Sequence, residues 1–192
     1  MLNKILKERR SPVLFSDELI DENDLRSIFE AARWAPSSNN QQPWRFIVAA
    51  KDDSEEFERL FNCLNENNKI WVKKVPVLCL TIQETISDYN YKENKYAKHD
   101  VGLSTACMIF QAMSLGIFAH IMGGYNSDMA IRMLSIPERF SPVAMIAFGY
   151  PAKSKSGFDS VLIEKESRPR KRKSISEIVY HGKWGVNMNF GY

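Results

Sequence analysis

Arg33-Trp34-Ala35-Pro36-Ser37-Ser38-Asn39-Asn40-Gln41-Gln42-Pro43-Trp44 links a helical pattern to a strand pattern. Pro36 and Pro43 stop a helix and fix the backbone at both ends of the run. Between them stand six consecutive small polar residues, with neither Gly nor charge. Their hydroxyls and side-chain amides offer both donors and acceptors. That inventory suits a polar heterocycle. It also suits a turn that satisfies its own backbone, and composition alone leaves both readings open.

Upstream, Asp21 to Trp34 reads as a helix. Asp21 is a good N-cap, and Leu25, Ile28, Phe29 and Ala32 make one buried stripe. Downstream, Trp44 to Ala50 reads as a strand, with Trp34 and Trp44 as core anchors. Asp52-Asp53-Ser54 starts a second helix with Phe57, Leu60, Phe61 and Leu64 on its apolar side, and Asn65-Glu66-Asn67-Asn68 ends it. Pro76 to Ile82 is a strand apolar enough to be buried on both faces. Residues 83–96 are polar and aromatic without a period, so they read as a long excursion. Ala97 to Leu115 is the most apolar helix, suited to a central position or a dimer seam.

Ile117 to Ile121 reads as a strand, followed by Met122-Gly123-Gly124-Tyr125-Asn126. A double glycine permits close approach to a flat ligand, though it is also an ordinary turn. A short helix to Leu134, a buried strand over Val143–Phe148 and an extended crossing over residues 153–167 follow. At the other end, residues 2–10 read as a helix with Leu2, Ile5 and Leu6 on one side, closed by Arg9-Arg10-Ser11. Cations suit the negative end of a helix dipole; paired guanidiniums and a hydroxyl also suit a phosphate.

With 192 residues, 44% hydrophobic and 26% charged, the composition is that of one globular domain spanning 1–192. No apolar run approaches the ~20 residues of a membrane span, and the N-terminus lacks a signal-peptide core, so a cytoplasmic location is expected. Cys63, Cys79 and Cys107 are scattered and apolar in setting, and His99, His120 and His181 lack ligand spacing, which argues against disulfides and metal. The formal net charge is +3, yet Arg168, Arg170, Lys171, Arg172 and Lys173 alone supply +5 and leave the remainder at −2. A broad nucleic-acid face is therefore not indicated.

The run from Ala31 through Phe46 resembles the signature of the nitroreductase family, which comprises FMN-dependent, dimeric NAD(P)H oxidoreductases. Asp100-Val101-Gly102, Leu115-Gly116-Ile117 and Met122-Gly123-Gly124-Tyr125 resemble its core. The resemblance implies an α+β fold, with a mixed, mostly antiparallel sheet wrapped by helices. It implies a homodimer with FMN at the interface and a C-terminal segment that reaches the partner subunit.

It further implies that Arg9, Arg10 and Ser11, joined by Arg170 and Arg172 just ahead of a short helix at 174–179, grip the FMN phosphate. Ser37, Ser38, Asn40, Gln42 and Asn68 would serve the ring's pyrimidine edge, and Pro36, Ile121 and Met122 its apolar bed. The Gly123 backbone would lie at flavin N5, with Gly124 beside it. Asn68, three residues before Trp71, is otherwise a helix C-cap. Where the family carries a base two places after the serine, this chain has Val13, with Arg45, Lys73 or Lys74 as possible substitutes.

No triad, metal cluster or carboxylate pair is evident, as expected where the cofactor carries the chemistry. The implied activity is ping-pong transfer from NADH or NADPH to a nitroaromatic, quinone or flavin. The rival readings are a reductive dehalogenase or free-flavin reductase, a non-catalytic flavin sensor, and a nucleic-acid module built on residues 168–173.

Overall fold

In the computed structural model, which describes residues 2–190, four strands form one antiparallel sheet in the order β1-β2-β4-β3. They are β1 (Trp44–Ala50), β2 (Val77–Glu84), β3 (Phe118–Met122) and β4 (Phe140–Gly149). The α+β architecture is as expected, and among the described residues every pairing is antiparallel. β2 is buried along its whole length, as its continuous apolar run requires of a central strand.

Period-two alternation splits the core in two. Leu78, Leu80, Ile82, Met145 and Ala147 face one side. Val77, Cys79, Ile146 and Phe148 face the other. The second side is covered by α2 (Glu22–Arg33) and α5 (Ala97–Ser114). Against the first pack residues of α3 (Ser54–Asn62), α4 (Glu66–Val72), α6 (Ser127–Met133) and α7 (Ser160–Ser167).

Several boundaries differ from expectation, each for a physical reason. β4 starts at Phe140 because a register shift at Thr81/Ile82 lets Pro142 join the ladder. Thr81 Oγ1 donates to the Ala144 carbonyl at 3.0 Å and accepts from the Ala144 amide at 3.1 Å, which mends the break. Asn65 does not end a helix; its side chain accepts from the Asn68 amide at 3.0 Å and starts α4. Residues 160–167 are helical rather than extended, capped by Asp159 onto the Val161 amide at 2.7 Å.

The N-terminal helix shrinks to α1 (Lys4–Glu8), with no buried residue. The expected 174–179 helix is a single 3-10 turn, Ile175–Glu177. Trp44 is a core anchor, but Trp34 is 75% exposed, with its indole N–H donating to Glu30.

Candidate functional site

A segment near the start of the chain meets one from its last third. Arg9, Arg10 and Ser11, just past α1, line one cleft of about 520 Å³ with Arg170 and Arg172. The Arg170 guanidinium donates to the carbonyls of Arg9 and Lys7, which ties the C-terminal basic segment to the end of α1. Arg9 also donates to Ser11 Oγ at 3.2 Å. Burial, then Arg172 and Arg170, depress the pKa of Arg9, the response of a guanidinium held among like charges. The cleft is a strongly cationic concavity at the junction of distant segments, suited to a phosphate.

Val13 lines the same cleft, but its side chain belongs to the core at 2% exposure, so the position expected to be basic faces inward. The substitutes named from sequence are employed elsewhere. Arg45 pairs with Glu84 at 3.0 Å and donates to the carbonyls of Gln42 and Trp44. Lys74 lies over the Phe158 ring, and Lys73 lines a separate cleft with Lys51 and Phe57. Sequence reasoning missed Lys7, Lys165, Glu166 and Arg168, all of which line the cationic cleft. Reading 160–167 as extended hid Lys165 and Glu166, for which the signal was Asp159 as an N-cap ahead of Leu162 and Ile163, while Arg168 is read only as part of the basic run.

The second group is the bend after β3. Asn68 Nδ2 donates to the Gly124 carbonyl at 3.0 Å, and Asn68 Oδ1 accepts from Trp71 Nε1 at 3.3 Å. The Asn65 amide donates to the same carbonyl at 3.0 Å. Asn68 is thus no C-cap: it braces the bend from within α4. The two glycines differ. A Cβ on Gly124 would fall 2.3 Å from Asn65 Nδ2 and 2.8 Å from Asn68 Nδ2, so this glycine serves packing. A Cβ on Gly123 would meet nothing within 4 Å, so its open side is available to a flat ligand. Ile121 is exposed beside it, but Met122 is 3% exposed in the core. What Met122 can offer a ring is therefore main chain, which corrects its place in the apolar bed.

Cleft and bend occupy opposite ends of edge strand β3. The Arg10 guanidinium lies over the Phe118 ring, 5.6 Å from its centroid, and the Pro12 carbonyl sits 2.7 Å from His120 Nδ1. From Phe118 to Met122 is about 13 Å of strand. A ligand with an anionic end and a flat end can lie along this edge.

The polar loop is the third group. Asn39, Asn40 and Gln42 all take positive φ, a strain of the kind found where function over-determines the backbone. Ser37 Oγ accepts from the Gln42 amide at 2.9 Å, and Gln42 Nε2 donates to the Asn40 carbonyl at 3.1 Å. Asp100, 2% exposed in the first turn of α5, accepts from the Ser38 amide at 2.9 Å and lies 2.9 Å from His99 Nδ1. Pro36 and Asn40 are exposed, while Ser37, Ser38 and Gln42 are half-buried.

Strand register puts the loop and the bend at the same end of the sheet, since Trp44 aligns with Gln83 and Ser141, and β3 runs towards that end. They leave from opposite edges, however, three strand spacings or roughly 14 Å apart. The structure therefore brings Arg9, Arg10, Ser11, Arg170 and Arg172 together, and Asn68 with Gly124. It does not bring Pro36, Ser37, Ser38, Asn40 and Gln42 to the bend within one chain.

Among the described residues no group of His, Cys, Asp and Glu could hold a metal, and no helix is long and apolar enough to cross a membrane. Comparison with known proteins gives concordant likenesses. The model of the nitroreductase family matches residues 6–78. A crystal structure described as an oxidoreductase containing FMN is 33% identical, with a TM-score of 0.90 over 97% of this chain and 94% of that one. An Archaeoglobus fulgidus protein named "Putative NADH dehydrogenase/NAD(P)H nitroreductase" is 26% identical over 161 residues, 82% of this chain and 89% of that protein. Iodotyrosine deiodinase 1 of Sus scrofa is 24% identical over 178 residues, 78% of this chain and 61% of that protein.

Proposed function

The chain belongs to the nitroreductase family, and from that premise we propose that it is an FMN-dependent oxidoreductase. It passes reducing equivalents from NADH or NADPH to a small nitroaromatic, quinone or flavin acceptor by a ping-pong mechanism. The observation that carries this reading is the meeting of Arg9, Ser11, Arg170 and Arg172, drawn from both ends of the chain, at one cleft. A phosphate monoester brings about −1.5 to −2 charge at pH 7, which relieves the mutual repulsion felt at Arg9.

Bound FMN would supply hydride acceptance at N5 and onward delivery to the acceptor. The chain's part is to hold it. The cationic cleft takes the phosphate, and the open side of Gly123 admits the ring, with Ile121 beside it. Asn68 keeps that bend in place through the Gly124 carbonyl. Ser37, Ser38, Asn40 and Gln42 offer polar groups for the pyrimidine edge, and Pro36 an apolar surface.

Because the loop leaves the far edge of the sheet, it would serve the bend of a second copy, which favours a homodimer with each site built from two chains. Exposed apolar groups agree: Leu2, Leu6, Ile175, Ile178 and Trp184 stand out of the fold. The tail makes its own small hairpin, with Tyr180 bridged to Asn187, and its exposed Trp184 offers apolar surface to a partner. The last two residues of that tail lie outside the described residues.

The likeness to a deiodinase supports a second reading, reductive dehalogenation of a halogenated aromatic. One assay separates them. Purified protein loaded with FMN should bleach on adding NADH or NADPH and recolour with a nitroaromatic or quinone. Recolouring only with a halophenol would favour the dehalogenase, and failure to bleach would leave a flavin-binding protein without turnover.

A further inference from the structure

Glu166 sits at the end of α7, on the wall of the cationic cleft, with a side chain only 9% exposed. Its Oε2 accepts from two consecutive main-chain amides, Val13 at 2.7 Å and Leu14 at 3.3 Å. Its Oε1 lies 2.7 Å from Arg10 Nη1. A carboxylate this enclosed is costly unless its oxygens are satisfied, and here three donors satisfy them. The amides belong to residues 2% and 4% exposed, so water is poorly placed to replace the carboxylate. Segment 12–16 is pinned on its other sides by His120 at the Pro12 carbonyl, and by the Leu14–Ala152 and Ser16–Tyr150 main-chain bonds.

Resting on the FMN reading, we infer that Glu166 is a positioning residue for the phosphate grip. It commits Arg10 to a structural ion pair, so that of the four arginines named from the sequence Arg9, Arg170 and Arg172 are left to meet the phosphate. The position two places after Ser11, occupied by Val13, then contributes its main chain to Glu166 rather than a base to the ligand. The inference divides two adjacent arginines by task. Arg10 has a carboxylate partner, whereas Arg9 has Ser11 and two neighbouring guanidiniums.

The test is FMN affinity of the apo-protein by flavin fluorescence quenching, with thermal unfolding of the same samples. Glu166→Gln can still accept from the amides but cannot neutralise Arg10, and Glu166→Ala does neither. Both should weaken FMN, the alanine variant by roughly tenfold. The double variant Arg10→Ala/Glu166→Ala should be no weaker than the Glu166→Ala single, since the two act as one pair. Arg9→Ala should add its own loss to that of Glu166→Ala.

Unchanged FMN affinity with a lowered melting temperature would overturn the inference, because Glu166 would then be structural only. Tighter FMN binding would also overturn it, because Glu166 would then be competing with the phosphate. If the wild type itself takes up no FMN, the parent reading falls and the inference with it. If it binds and the Glu166 variants bind equally, only the inference falls.

Discussion

Two neighbouring glycines carry different duties, and single methyl groups can tell them apart. Gly124→Ala drives a Cβ into the Asn65 and Asn68 amides and disturbs both the α4 cap and the brace on the bend. The expected cost is about 1–2 kcal/mol, measurable by denaturant unfolding. Gly123→Ala meets no atom, so stability should stay within about 0.5 kcal/mol while FMN affinity falls. His120 adds a pH dependence. Burial chiefly lowers its pKa below the ordinary 6.5. The unfolded chain therefore takes up a proton near that value and the native state does not. Stability is retained above this pH and declines as pH falls below it. His120→Gln should flatten that slope in unfolding curves taken between pH 5 and 8.

At the scale of elements, the site is held by carboxylates and amides on helices. Asp100 of α5 fixes the strained loop through the Ser38 amide. Asp100→Ala should loosen the loop, seen as faster amide exchange over residues 36–42, and cost roughly 1–3 kcal/mol from the orphaned donor. Most elements were readable from periodicity and caps: α2, β1, α3, β2, α5 and β3 fall close to where their patterns place them. The failures have separate causes. Asn65 is as good a cap as a terminator, so the sequence pattern reads the start of α4 as the end of α3. Pro142 hid the first residues of β4, since a ladder that absorbs proline needs a register shift no pattern reveals. A charged, serine-containing run masked α7, whose helical state comes from Leu162 and Ile163 docking on the core. Missing α7 also means missing Glu166 and Lys165. Conversely, Trp34 shows that an aromatic at a helix end need not be buried.

At the scale of the whole molecule, the chain is a sheet with apolar packing on each face, a cationic cleft at one end of edge strand β3 and a glycine bend at the other. The polar loop stands across the sheet from that bend, and in the function proposed above the loop of a second copy completes the site. Sedimentation should accordingly give a particle near twice the 22.1 kDa chain mass. The cationic pairs at residues 9–10 and 170–172 could be named from sequence only through a family resemblance, because the 159 residues between them conceal their proximity from any local pattern. The most direct measurement is FMN titration of the folded apo-protein beside its Arg170→Ala/Arg172→Ala variant. The account predicts saturation at one FMN per chain for the wild type and a loss of at least tenfold in affinity for the variant, since each charge-assisted contact is worth about 1.5–3 kcal/mol. Equal affinity in the two proteins would contradict it.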